Sequence, residues 1–143
     1  RYLLDTDIVS LHQRGNRTVT EWVERVGEEE IAVSIITLEE QVRGRLARIR
    51  HHSTTPQQIR QEVDAYDDLW STWRYFQLLT ILPFDRAASE RFRQLRQQDV
   101  RIGTQDLRIA ATALVRGAIV VTRNSRDFSR VPGLSIEDWS VTE

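Results

Sequence analysis

The sequence predicts an α/β fold, a single three-layer α/β/α domain built around a mainly parallel five-stranded sheet. Its 143 residues are enough for one hydrophobic core but few for two ordinary domains. Short apolar segments alternate along the chain with segments of helical periodicity. The apolar segments are continuous, which is typical of parallel strands that are covered on both faces. We therefore expect one domain over 1–143, without an internal repeat or a linker.

In the first half of the chain, two strand-like segments are each followed by helical patterns. Thr18 or Thr20 is the expected cap of the second helix, and Thr37 is expected to open the third. The predicted elements are strands at 1–4 and 30–33, and helices at about 7–14, at about 17–26 and from Thr37 through the arginine-rich 43–50. This order places a helical connection between successive strands, as a parallel sheet requires.

The second half begins at a clear break, where hydroxyl side chains precede Pro56, a residue suited to the first position of a helix. Asp85 and Thr104 are predicted to cap two later helices, and Gly117 to end the second of them. The predicted elements are helices at about 57–78, from Asp85 to about 98 and from Thr104 to about 116, and strands at 80–82, 118–121 and 134–136. We expect the aromatic side chains of 66–76 to pack into the core, although they could instead form a dimer interface or a groove for a partner helix.

Acidic residues stand at the edges of several predicted elements: Asp5, Glu40, Asp106 and Asp127. Because α/β folds bind ligands at the carboxyl ends of their parallel strands, these side chains are expected to converge there. Converging carboxylates repel one another, and a divalent metal ion would relieve that repulsion. Taken singly, Asp5 could equally be the cap of the following helix, and Asp106 an ordinary acidic residue in a first helical turn beside the positive end of the helix dipole.

Composition excludes several classes of function. The chain contains no cysteine, which rules out disulfides, thiolate zinc sites and a cysteine nucleophile. It has no apolar run long enough for a membrane span and no visible signal peptide, so we expect a cytoplasmic protein. The net charge of −1 gives no general preference for nucleic acid.

The basic residues are arginine and histidine, without any lysine. Arginine suits bidentate phosphate recognition, although an arginine-rich genome would explain the same bias. The densest basic stretch comprises Arg43, Arg45, Arg48 and Arg50, followed by His51 and His52. These arginines could form a track for RNA phosphates beside Glu40, or a solvated helix face paired with acids such as Glu39 and Glu62. The two histidines lack a third ligand at metal spacing and are expected at the surface.

Four segments carry a resemblance to a known family: Leu3–Ile8, Ser34–Glu40, Arg101–Ala111 and Val121–Phe128. They occur in the order found in PIN-domain proteins and most resemble the VapC toxins of bacterial toxin–antitoxin pairs. The tail Val131–Trp139 also resembles the last strand of that family. The resemblance spans essentially the whole chain and implies a PIN-like nuclease domain.

The resemblance also implies an activity, a Mg²⁺- or Mn²⁺-dependent endoribonuclease that acts on tRNA or rRNA. By this resemblance Asp5 and Asp106 would hold the metal and Glu40 would complete the acidic pocket. Asp127 is the candidate for the fourth acid, because Asn124 stands where many PIN domains have a carboxylate. The side chains expected next to these acids are Thr6, Thr104, Thr122 and Asn124. VapC-like proteins usually dimerise and are inhibited by a cognate VapB-type antitoxin, so both partners are implied.

Two other interpretations remain. The pair Asp5 and Asp7, with Thr122 at a later strand end, also fits the opening motif of haloacid-dehalogenase-type phosphatases, with Asp5 as nucleophile and Asp7 as acid. That family normally needs a phosphate-binding lysine and a pair of downstream acids, which the chain lacks. The other interpretation is a PIN fold that only binds RNA or protein, which Asn124 would favour. Asp7 is a further departure from the family that the chain resembles, which more often has asparagine there; the extra carboxylate could raise metal affinity or simply cap the helix.

Overall fold

The five strands of the computed structural model, which describes residues 1–142, form one parallel sheet in the order β3-β2-β1-β4-β5. The strands are β1 (Tyr2–Leu4), β2 (Ile31–Ser34), β3 (Thr80–Leu82), β4 (Ile119–Val121) and β5 (Ile136–Glu137). The helices are α1 (Thr6–Gln13), α2 (Arg17–Val26), α3 (Ile35–Ala47), α4 (Pro56–Gln77), α5 (Arg86–Gln97), α6 (Thr104–Arg116) and α7 (Ser125–Phe128). The α/β fold class is confirmed. Residue 143, the last position of the domain predicted over 1–143, lies outside the described residues.

Helices cover both faces of the sheet. Leu3 and Leu4 are fully buried on opposite faces, because successive side chains of a strand point in opposite directions. Leu3 packs in a cluster with apolar side chains of α5 and α6, and Leu4 in a cluster with those of α1, α2 and α4. None of the helices in the described chain combines the length and apolar composition that a membrane crossing requires.

Two predicted helix caps are wrong, although α2 itself spans the predicted 17–26. Asn16, and neither Thr18 nor Thr20, caps α2 by accepting a hydrogen bond from the Val19 N–H at 3.1 Å. An asparagine carbonyl is an effective cap, and Thr18 and Thr20 lie inside the first turns. Gly103 stands at the cap of α6, whose first residue is Thr104. No side chain therefore caps α6.

The third helix begins at Ile35 and not at Thr37, because Ser34 ends β2 and at once accepts a hydrogen bond from the Ile36 N–H. The helix ends at Ala47, short of the predicted 43–50. Strand and helix are thus joined without an intervening loop.

The last third of the chain also departs from prediction in detail. Strand β4 begins at Ile119, and β5 occupies Ile136–Glu137 in place of 134–136. The four-residue helix α7 was not predicted, because it is too short to show a periodic pattern. Gly117 ends α6 in the left-handed conformation, φ 64°, as expected for a glycine after a helix.

Helix α4 starts as predicted but does not bury its aromatic side chains as predicted. Thr55 and Gln58 form a capping box around Pro56. Phe76 is buried, yet a row of side chains on the outer surface is 46–60% exposed: Ile59, Val63, Tyr66, Trp70 and Trp73. The spacing of three and four residues puts this row on one side of the helix, and we call it the α4 ridge. The prediction that 66–76 fills the core is wrong for the ridge, because helical periodicity does not identify which of two apolar faces is covered.

Candidate active site

Asp5 follows β1 at the carboxyl end of the sheet and is only 4% exposed. Its Oδ1 accepts a hydrogen bond from the Ile8 N–H at 3.0 Å, so it caps α1 as one interpretation predicted. Burial is the main reason why the pKa of Asp5 is raised to about 6. Hydrogen bonds from Thr122 and Ile8 lower this pKa, and the negative charges of Asp7 and Asp106 raise it. Capping a helix does not require an aspartate to be buried beside other negative charges.

Asp106 lies in the first turn of α6 and is half-buried. Its pKa is raised above the ordinary value, first by burial and then by the negative charges of Glu40, Asp7 and Asp127. Carboxylates from several separate elements therefore act on this one side chain. Asp7 belongs to the same acidic group, although the sequence left open whether it only occupies a helix start.

Glu40 reaches the group from α3. Its Oε1 accepts a hydrogen bond from the Thr6 hydroxyl at 3.1 Å, and that hydroxyl is also 3.1 Å from the hydroxyl of Thr37. These contacts hold the start of α1 against α3. They orient Glu40 without neutralising its charge.

Asp127 is engaged more fully than the other acids. Its Oδ2 accepts a hydrogen bond from the Asn124 amide Nδ2 at 2.9 Å, and its Oδ1 is 3.7 Å from Nη1 of Arg130. The Asn124 backbone N–H donates to the buried Thr122 hydroxyl at 2.8 Å, and Asn124 caps α7. Asn124 and Asp127 thus form one local unit that follows β4. Thr104, by contrast, is exposed and makes no hydrogen bond to any acid of the described chain.

The donor set suits a hard divalent cation. Within residues 1–142, no arginine, histidine or terminal amine forms an ion pair with Asp5, Glu40 or Asp106. Oxygen ligands are those that Mg²⁺ and Mn²⁺ prefer. Within the described chain, no three acidic or histidine side chains already form a coordinating group. The fit therefore rests on the chemistry and mutual repulsion of the carboxylates.

The arginines of the predicted basic stretch differ in their partners. Arg43 pairs with Glu39, as the solvated-face interpretation predicted, and Arg48 pairs with Asp68 at 2.9 Å, so Glu62 is not the partner. Arg45 differs from both, because its Nε donates to the Thr72 hydroxyl at 3.1 Å and no carboxylate of the described chain binds it. Arg50, His51 and His52 are exposed, as expected for the two histidines.

The sequence did not predict a concave surface formed by three of the helices. Side chains of α1, α3 and α4 line a cavity of about 680 Å³, which we call the α1–α4 cavity. Its walls include Ser10, Gln13, Arg14, Arg45, Arg74 and Tyr75. No signal in the sequence brings these residues together, because their proximity depends on how three helices pack.

The chain matches a family model described as PIN domain over residues 2–134. It is 42% identical over 66 residues to the tRNA(fMet)-specific endonuclease VapC of Shigella flexneri, an alignment that covers 43% of this chain and 50% of that protein. The chain thus spans half the length of that curated relative. It is also 30% identical to Ribonuclease VapC2 of Haemophilus influenzae over 145 aligned positions, 97% of this chain and 98% of that protein.

A crystal structure of DNA-bound VapBC from Salmonella typhimurium contains a chain of the same fold. The two chains superpose with a TM-score of 0.75 and share 27% sequence identity. The superposition covers 97% of this chain and 98% of the other.

Proposed function

Because this chain belongs to the PIN-domain family, we propose that it is a metal-dependent endoribonuclease and the toxin of a VapBC-type toxin–antitoxin pair. Two relatives of the chain, a tRNA(fMet)-specific endonuclease and a ribonuclease, support this chemistry. Structural likeness to a VapBC chain supports the pairing with an antitoxin. Family membership argues against the haloacid-dehalogenase interpretation, in which Asp5 would be a nucleophile.

The convergence of Asp5, Glu40 and Asp106 without a counter-ion is the observation that carries the proposal. A fold that merely bound RNA would gain from positive charge at this edge of the sheet, since the RNA backbone is anionic. The chain instead holds Asp5 buried and Asp106 half-buried with both pKa values raised. Carboxylates with perturbed pKa values are typical of catalytic and ligand-binding sites.

In this proposal Asp5, Glu40 and Asp106 hold a Mg²⁺ or Mn²⁺ ion, which supplies charge neutralisation at the scissile phosphate and a water molecule of lowered pKa. Thr6 and Thr122 orient the carboxylates, Thr6 through Glu40 and Thr122 through Asp5. The start of α6, which no side chain caps, favours negative charge near Asp106. The reaction then needs no side-chain nucleophile.

The role of Asp127 is the least direct. Because Asn124 and Arg130 already bind its carboxylate, we propose that it tunes Asp106 through its charge. A second candidate function is a PIN fold that binds RNA or protein without cutting it. The observation that favours it is Asn124, an amide in place of an acid, which leaves Asp127 as the carboxylate of the Asn124–Asp127 unit.

The α4 ridge supports the second part of the proposal, the binding of an antitoxin. Apolar side chains spaced by three and four residues along a helix are suited to contact with another helix. We propose that a helix of a VapB-type antitoxin covers the ridge. A binding experiment would distinguish this occupant from a second copy of this chain. An enzyme restrained in this way and acting on tRNA or rRNA would work in the cytoplasm.

Cleavage of total cellular RNA by the purified, antitoxin-free protein tests the activity. Discrete products are expected with Mg²⁺ or Mn²⁺, and their loss with EDTA. Asp106→Asn should abolish them, whereas Asp85→Asn, which alters an exposed aspartate at the cap of α5, should leave them unchanged. A folded protein that binds RNA but yields no product with either metal would support the binding-only function.

A further inference from the structure

The α1–α4 cavity has an excess of positive charge on its walls. Arg14, Arg45 and Arg74 line it, and none of the three pairs with a carboxylate of the described chain. The acidic residue of its lining, Asp68, is bound by Arg48 at 2.9 Å. A concave surface lined by one sign of charge concentrates the electrostatic potential and attracts ligands of opposite charge.

Apart from Leu78, the remaining side chains that line the cavity carry a polar group. Ser10 and Gln13 offer hydroxyl and amide groups from α1, and the Tyr75 hydroxyl lies 2.7 Å from Nδ1 of His12. Its volume of about 680 Å³ is in the range of small-ligand sites. An amphipathic protein helix would require an apolar lining, and the apolar surface of α4 lies on the separate ridge. Phosphate and ribose groups fit this chemistry better than a peptide does.

A polar seam between α1 and α3 joins the cavity to the candidate active site. The seam begins at the contact of Thr6 with Glu40. It continues where the Gln41 Nε2 donates to the Ser10 hydroxyl at 3.2 Å and the Gln13 Nε2 donates to the Gln41 Oε1 at 2.6 Å. From Thr6 to Gln13 the helix rises by about 10 Å. Gln41 is buried in this seam, which therefore fixes the position of the cavity relative to the candidate active site.

We propose that the α1–α4 cavity binds backbone phosphates of the RNA strand next to the cleaved bond, with Arg14, Arg45 and Arg74 as the contacting residues. This inference rests on the proposed endoribonuclease function, whose crevice supplies the other end of the path. Arginine is well suited to the task, since its planar fork binds phosphate oxygens in pairs. Of the arginines of α3 considered from the sequence, only Arg45 belongs to this surface.

Binding of a fluorescein-labelled single-stranded RNA, followed by anisotropy with total tRNA as competitor, tests the proposal. An Asp106→Asn background prevents cleavage during the titration. Arg14→Gln and Arg74→Gln are each expected to weaken binding roughly two- to fivefold, as for exposed charge pairs. Each should lower the slope of log K against log salt by about 0.7. Arg14 is exposed at the end of α1 and its side chain forms no ion pair in the described chain, so Arg14→Gln also keeps the test independent of folding.

Arg91→Gln is the matched control, because Arg91 is exposed on α5, which packs on the opposite face of the sheet. Cavity variants with the affinity and salt slope of the Arg91→Gln control would overturn the proposal. Cleavage by the parent protein would in that case leave the endoribonuclease function intact. Loss of antitoxin binding with unchanged RNA binding would overturn it in favour of a protein site. Failure of the parent protein to bind or cut any RNA would remove both the function and the inference.

Discussion

Replacing Asp5 by asparagine should stabilise the metal-free protein at neutral pH. The asparagine would keep a side-chain oxygen for the Ile8 N–H, so the cap of α1 would survive. It would remove a buried negative charge that faces Asp7 and Asp106. The substitution therefore separates the cost of the charge from the benefit of the cap.

The size of the effect follows from the pKa of Asp5, which is about 6 in the folded protein against an ordinary value of 3.8. At 1.36 kcal/mol for each pH unit, this difference corresponds to roughly 3 kcal/mol. Because the folded-state pKa is raised, the folded protein binds the proton more tightly than the unfolded chain does. The destabilisation is absent below about pH 4, grows as the pH rises, and is complete above about pH 6.

Urea unfolding in EDTA, monitored by tryptophan fluorescence, measures this difference. Trp139 is fully buried and stacked on Trp22, so unfolding changes its surroundings. Asp5→Asn should raise the unfolding midpoint at about pH 8 without changing the slope, and the gain should vanish near pH 4. Asp85→Asn also preserves a cap but loses an exposed ion pair with Arg116, and should cost less than about 1 kcal/mol.

An Asp5→Asn protein that is no more stable than the parent at about pH 8 would refute the reasoning. So would a gain of the same size at both ends of the pH range, since a titrating carboxylate cannot produce it. With Mg²⁺ added, the parent protein should gain stability and the variant should gain less, because a cation that binds the folded state stabilises it by mass action.

Other substitutions test further parts of the structure. Asp106→Asn should abolish RNA cleavage and leave the far-ultraviolet circular dichroism spectrum unchanged; residual cleavage at the parent rate would remove Asp106 from the site. Thr55→Ala should lower the free energy of unfolding by about 1 kcal/mol through loss of the α4 capping box, measured by urea titration. Trp70→Gln on the ridge should change that free energy by less than about 0.5 kcal/mol yet weaken binding of the co-expressed antitoxin in calorimetry. Phe76→Ala, on the buried side of the same helix, should cost about 3–5 kcal/mol, and equal costs for the two aromatic positions would contradict the ridge.

The sheet and its order of helices were predictable because the strand segments are continuously apolar and the breaks carry strong local signals. Thr55 with Pro56, Asp85 and Gly117 all act where the sequence placed them. Caps that compete with equivalent neighbours were not predictable. Asn16 lies two residues before Thr18, and only the geometry of the preceding turn selects between them.

The acidic group was predictable for a related reason, since parallel strands must end at one edge of the sheet. What could not be predicted is which side chains are neutralised there. Asp127 was the candidate for the fourth acid, yet Asn124 and Arg130 bind it. Core packing was preferred to exposure for the α4 ridge because its spacing is as regular as that of a buried face.

The direct junction between β2 and α3 at Ser34 divides this part of the chain into a fixed segment and an adaptable one. An inserted residue between Ser34 and Ile36 would rotate α3 by about 100° and turn Glu40 away from the crevice. The connection 48–55 at the far end of α3 carries no such constraint, because its residues are mostly exposed and outside regular structure. We expect related chains to vary in length at this tip and to be invariant in length at the junction. New RNA preferences could then arise by lengthening or shortening the tip while the position of Glu40 stays the same.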